Sequence, residues 1–180
     1  MIIRVAAAGD VDAIAALHAD SWRRYYRGAY ADAYLDGDLD AERRAVWRAR
    51  FADRTGTVTL VAEDAQGLIG FVHVNLDDDP HWGSLVDNLH VTSGRRHGGV
   101  GTALHAAAVH AVTGQATSPH LYLWVLEQNI AAQRFYRSRG GTHAGTVPVG
   151  GDPGRLNGSP NKHRIVWRDL NKAGTQAQMS

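Results

Sequence analysis

The side chains best able to do chemistry in this sequence gather around one glycine-rich turn. Residues 87–104 read Asp87-Asn88-Leu89-His90-Val91-Thr92-Ser93-Gly94-Arg95-Arg96-His97-Gly98-Gly99-Val100-Gly101-Thr102-Ala103-Leu104, a strand-like run meeting three close glycines and then a helix former. Gly98, Gly99 and Gly101 permit positive φ and close approach of main chain to a ligand. A helix opening near Val100 adds unpaired N–H groups and a partial charge of about +0.5. Such a turn suits an anion, phosphate above all.

Two common meanings of a glycine turn fail here. A Walker A loop requires a lysine and then Ser or Thr after its last glycine, whereas Gly101 is followed by Thr102 and Ala103. A dinucleotide fingerprint requires a third small residue at the sixth position, where Leu104 stands, and a parallel sheet before it. The ten histidines show no H-E-x-x-H spacing, and His105 and His110 are about 500° apart around a helix, so no metal site is expected.

The elements that must position this turn follow from periodicity. Residues 2–6 read as a strand, and Asp10 stands as an N-cap before a helix over 11–24 carrying Val11, Ile14, His18 and Trp22. A second helix carries Val46, Trp47 and Phe51. Strands are expected over 57–63, 68–76 and 84–91, the first two joined by a hairpin turn and all three antiparallel. The glycine turn then feeds a helix with Val100, Leu104, Ala107, Ala108 and Ala111 on one stripe. A strand over 120–126, a short helix opening at Asn129, a strand over 143–147, a loop over 148–160 and a strand over 163–169 complete the pattern. The order predicts a mixed α/β fold with a mostly antiparallel central sheet flanked by helices, a single domain over 1–170 and a flexible tail over 171–180.

Bulk composition narrows the partners. At 180 residues the chain suits one core. Lys+Arg 19 against Asp+Glu 18 is too balanced for a protein that binds nucleic acid through a broad basic surface. No apolar run approaches the roughly 20 residues of a membrane span. With no signal-peptide pattern and no cysteine, a cytoplasmic monomer or homodimer is expected.

The run Arg96-His97-Gly98-Gly99-Val100-Gly101 fits (Q/R)-x-x-G-x-(G/A), five residues after the strand ending Leu89-His90-Val91. It resembles motif A of the GNAT superfamily of acyl-CoA-dependent N-acyltransferases. Asn129-Ile130-Ala131-Ala132-Gln133-Arg134-Phe135-Tyr136 resembles that family's second signature, N-x-x-A-x-x-(F/L)-Y, and the opening Ile3-Arg4-x-Ala6 with Asp10 is similar to its start. Two departures stand out. The second helix ends in Gly140-Gly141 where the family usually has Gly-Phe, and Thr92-Ser93-Gly94 lacks the proline that often follows the motif A strand.

The resemblance implies acetyl-CoA as cosubstrate, with no metal and no covalent enzyme intermediate. Its pyrophosphate would lie on the N–H groups of His97, Gly98, Gly99, Val100, Gly101 and Thr102. Its pantetheine arm would pair with main chain over Leu89, His90 and Val91 as an added strand. Arg96 would face the phosphates and Arg95 would be a solvated charge. Asn129 has two readings, a coenzyme contact and a helix cap. His90 itself is read as packing or surface.

Tyr136 would donate to the departing thiolate, although a tyrosine near pKa 10 protonates a thiol near 8.5 uphill by roughly 2 kcal/mol. Asp87 is the candidate base, since simple alternation puts Asp87, Leu89 and Val91 on one strand face. An amine acceptor must arrive neutral; at pH 7 that costs about 4.6 kcal/mol for a lysine-like amine and about 1 to 1.4 kcal/mol for an α-amine. The acceptor site is expected between the first two helices, near Trp22, Tyr25, Tyr26 and Tyr30, and at the acidic loop Asp77-Asp78-Asp79-Pro80-His81-Trp82. The same aromatics serve equally as core, and the same aspartates as a solvated loop. The implied activity is acetyl transfer to a primary amine of a small molecule or a protein N-terminus; a non-catalytic acyl-CoA sensor is the alternative.

Overall fold

The computed structural model describes residues 1–95 and 98–170. Arg96, His97 and the expected tail over 171–180 lie outside the described residues. The elements run β1 (Ile2–Val5), α1 (Val11–Tyr25), α2 (Asp32–Leu35), α3 (Leu39–Ala52), β2 (Thr57–Asp64), β3 (Gly67–Asp79), β4 (Gly83–Val91), α4 (Val100–Gln115), β5 (Leu121–Leu126), α5 (Ile130–Ser138), β6 (Thr142–Pro148) and β7 (Asn161–Trp167). They build one seven-stranded sheet, ordered β1-β2-β3-β4-β5-β7-β6. Every neighbouring pair is antiparallel except β4 with β5. The expected mixed α/β class holds.

Both faces of the sheet are covered, so its central strands are apolar on both sides. Val58, Leu60, Val72, Val74, Val86, Leu121 and Leu123 face α4 with its Val100, Leu104 and Ala108. Val61 and Phe71 face α1 and α3 with Ile14, Leu17 and Trp47. The alanines of α4 let it lie close, and Gly70 on β3 completes the fit: a Cβ there would come within 2.9 Å of a Leu104 methyl.

Several polar residues take roles the sequence hid. Asp10 sits at the start of α1, but its carboxylate accepts from the Ala7 N–H at 2.7 Å and from the Arg4 guanidinium instead of capping α1. The short helix α2 was not expected, and a 3-10 turn at Pro153–Arg155 interrupts the loop over 148–160. The acidic loop does not line the cavity that opens between β4 and β5. Asp77 to Asp79 lengthen β3, and each carboxylate is committed: Asp77 to the Thr117 and Ser118 N–H groups, Asp78 to the Tyr122 hydroxyl, Asp79 to the His81 and Trp82 N–H groups. This end of β4, where Asp79 pairs with Gly83, lies opposite the glycine turn.

The Gly140-Gly141 departure is answered by a strand residue. Gly140, with φ +85°, ends α5, and Trp167 of β7 fills the room that a large residue on the helix end would take. The Trp167 indole N–H donates to the Arg139 carbonyl at 2.8 Å and its ring meets Tyr136 edge-on.

Neutral histidines occupy the layer beside α1 and α3. His18 is 1% exposed, accepts from the Trp47 indole N–H at 3.0 Å, and lies 5.0 Å from the His90 ring. His73 shares a 2.8 Å hydrogen bond with Thr59. Burial is the largest cause pulling His73 and His90 down to about 4, and it lowers His18 well below its ordinary value. His105, on the other face, is likewise drawn down to about 4.

Two outcomes are expected. An alanine Cβ at residue 141 would meet Ile165 at 2.6 Å and Trp167 at 2.8 Å, so Gly141→Ala should destabilise by about 1 to 3 kcal/mol in urea unfolding. The histidines should make stability rise with pH. Their unfolded forms take up protons below about 6.5 while the folded forms do so only near 4, so stability is full above 6.5 and is lost as pH falls toward 4. The slope is up to about 1.4 kcal/mol per pH unit for each histidine. Equal unfolding free energies at pH 6.5 and 4.5 would contradict this.

Candidate active site

The site exists because β4 and β5 part company. Their parallel ladder holds three pairs, Ser84–Leu121, Leu85–Tyr122 and Val86–Leu123, and stops. Beyond it β4 runs to Val91 and β5 to Leu126 with a cavity of about 520 Å³ between them. One edge of residues 88–91 stays paired with β3, which leaves the other edge facing the gap.

At the parting point β4 carries a bulge. His73 pairs with Asn88 and Val74 with Val86, so Asp87 has no partner on β3. A bulge re-aims side chains. Asp87 therefore does not share a face with Leu89 and Val91, as alternation required; it turns toward α3. There Arg50 donates to Asp87 Oδ2 at 2.5 Å and to Asn88 Oδ1 at 2.7 Å while its guanidinium lies 4.8 Å over the Trp47 ring. His90, expected on the side away from Asp87, packs on this same side against His18 and Phe71.

Arg50 was missed by sequence reasoning because it is 37 residues from Asp87. A signal existed: Leu39, Arg43 and Trp47 are the buried stripe of α3, and an arginine three residues further lies on the same stripe. Gln133 was also missed. Buried on α5, it donates through Nε2 to the carbonyls of Leu126 and Glu127, which fixes the end of β5 where the strands have separated.

The glycine turn meets the other end of the cavity. Gly99 has φ +78° and opens α4. The first ladder bond runs from the Ala103 N–H to the Gly99 carbonyl, so the N–H groups of Val100, Gly101 and Thr102 project from the helix end, an anion site by construction. A Cβ on Gly101 would stand between Phe135 at 3.6 Å and Val91 at 3.7 Å, and one on Gly99 would meet nothing within 4 Å. Arg95, expected to be a free charge, pairs with Asp64 at 2.7 Å and with Gln66, tying the turn to the β2–β3 hairpin.

Of the residues singled out from sequence, Asp87, Leu89, His90, Val91, Gly99, Gly101, Thr102, Asn129 and Tyr136 line the cavity. Val100 is buried in the core and contributes main chain only; Gly98 lies in the turn outside the lining. Asn129 is seen capping α5, its side-chain oxygen accepting from the Ala132 N–H at 3.1 Å. Tyr136 is 8% exposed, and its hydroxyl has no hydrogen-bond partner among the described residues. Burial alone pushes its pKa up, so at any physiological pH it is a protonated donor.

Across the gap stand Tyr25 and Tyr26 at the end of α1. Tyr26, Trp22, Tyr30 and Tyr34 pack against one another with ring centroids 4.8 to 6.3 Å apart, and Arg43 lies 4.6 Å over Trp22. The expected aromatic segment thus serves both as a small core and as a wall of the cavity.

Similarity to known proteins agrees with this geometry. Residues 14–140 match the family model described as Acetyltransferase (GNAT) family. No protein of curated function matches the sequence. Among solved structures, the ribosomal-protein-alanine N-acetyltransferase of Brucella melitensis is 23% identical with a TM-score of 0.68, covering 93% of this chain and 99% of its own. The PaiA N-acetyltransferase of Thermoplasma acidophilum, in complex with coenzyme A, is 18% identical with a TM-score of 0.70, covering 92% and 98%. YncA of Salmonella typhimurium, solved with its cofactor acetyl-CoA, is 21% identical with a TM-score of 0.67, covering 93% of each chain. With the family model spanning more than two thirds of its length, the chain belongs to the GNAT family of acetyltransferases.

Proposed function

We propose that the protein transfers an acetyl group from acetyl-CoA directly to a primary amine, of a small molecule or of a protein N-terminus, in the gap between β4 and β5. The observation that carries this is the meeting, in one cavity, of an unpaired strand edge, a helix end presenting free N–H groups and an unpartnered tyrosine hydroxyl. The N–H groups of Val100, Gly101 and Thr102 hold the pyrophosphate. Leu89, His90 and Val91 offer main-chain partners to the pantetheine arm. Asn129, already a cap, places the start of α5 beside that arm.

Bound acetyl-CoA supplies an activated acetyl thioester. Tyr136 donates a hydrogen bond to the sulfur as negative charge gathers there. Its raised pKa makes full proton transfer to a thiolate less favourable than for an ordinary tyrosine, so its role is that of a donor. Asp87 takes up the amine's proton, directly or through water. Arg50 occupies one of its oxygens and fixes its direction, which makes Arg50 a positioning residue.

Purified protein should release free thiol from acetyl-CoA in the presence of a suitable amine. Tyr136→Phe should lower kcat roughly tenfold to a hundredfold with coenzyme affinity unchanged. Tight coenzyme binding without turnover on any amine would favour a sensor, and absence of coenzyme binding would overturn both readings.

A further inference from the structure

Beside the cavity, behind its lining residue Trp124, β7 carries two cations that form no ion pair. Lys162 and Arg164, two positions apart on β7, form no ion pair and no hydrogen bond through their side chains among the described residues, and Arg164 Nε is buried with no partner. Exposed arginines such as Arg134 and Arg137 are solvated by water, but Lys162 and Arg164 are half-buried. Both stand on Trp124, a residue that lines the cavity: Lys162 Nζ is 4.5 Å and the Arg164 guanidinium 4.4 Å from its ring, and Arg164 is also 4.3 Å from Trp82.

Placement follows from register. Trp124 pairs with Arg164 and Leu126 with Lys162, and Leu123 and Val125 face α4, so Trp124, Lys162 and Arg164 share the opposite face with Asp87 and the tyrosines of α1. Burial first, and the Arg164 charge second, lower the Lys162 pKa, while Asp87 acts on it in the opposite sense. Two like charges held on one indole repel each other, with Asp79 and Asp87 acting on them only from beyond ion-pair distance, and a bound anion would relieve that repulsion.

We propose that Lys162 and Arg164 form the specificity site for a carboxylate on the acceptor, so that the substrate is a small amine of the amino-acid type and not a protein N-terminus. In an amino acid the amine and the carboxylate are separated by one carbon, so a carboxylate held at Trp124 keeps the amine within the gap that Asp87 and Tyr136 line. A peptide N-terminus brings a neutral amide to the same place and leaves the two cations unmatched. This deepens the acetyl-transfer reading and rests on it.

The test uses matched pairs of amines, each an amino acid and its carboxamide, with thiol release as the readout on the full chain. The free amino acid is expected to win by about tenfold or more in kcat/KM, mainly through KM. Lys162→Gln and Arg164→Gln should each shrink that ratio, and Lys162→Met, which keeps an apolar stem on Trp124, should do the same if packing is preserved. Equal or better turnover of the carboxamides or of a short peptide, or a ratio unchanged in the variants, would overturn the proposal. Failure to acetylate any amine would count against acetyl transfer itself. In that case calorimetric binding of the same pairs to the coenzyme-loaded protein decides the anion site, a preference for the carboxylate supporting it and equal affinity refuting it.

Discussion

The rest of the structure depends on three residue pairs. Parallel strands pair less stably than antiparallel ones, and β4 and β5 are the parallel neighbours in this sheet, joined only from Ser84–Leu121 to Val86–Leu123. Everything on either side is tied to a firm antiparallel half, β1 to β4 in one and β5, β7 and β6 in the other. The two halves can diverge without either losing its own ladder. Polar groups exposed by that divergence are then met locally, by Gln133 on the Leu126 and Glu127 carbonyls and by Asn129 on the first turn of α5.

The walls of the gap differ in character. On the α4 side they are main chain and small residues, suited to a ligand recognised by its own backbone-like groups. On the α1 side they are aromatic rings, cations and neutral histidines, with His18 and His90 held uncharged beneath Asp87, Asn88 and Arg50. Keeping those histidines neutral leaves the Arg50–Asp87 pair as the organised charge at the bulge. It also ties the integrity of that wall to pH.

Much of this was legible in the chain. The glycine turn, the Asn129 to Tyr136 helix and the strand alternation gave the fold class and the part of the cavity lining that lies on β4, α4 and α5, because these signals are local. What was not legible depends on pairing between distant segments. A bulge cannot be read from one strand, since it is a mismatch in count between two, and so the facing of Asp87 and His90 was misjudged. Arg50 reaches the site through tertiary packing. Asp77 and Asp78 are exposed, as the sequence suggested, but their partners, the Thr117 to Ser118 main chain and the Tyr122 hydroxyl, lie about forty residues away and left no local signal.

The extra residue at Asp87 has one more consequence. A chain one residue shorter there would pair β3 with β4 without interruption from Gly70 to Asn75 and would be, by the usual standards of strand regularity, the better sheet. It would also leave a single side chain between Val86 and Leu89 on the α3 side, where Asp87 and Asn88 now both hold Arg50. Regularity and the hold of β4 on Arg50 pull in opposite directions at a single position, so any redesign that idealises this sheet must keep the irregularity as a fixed part of the specification.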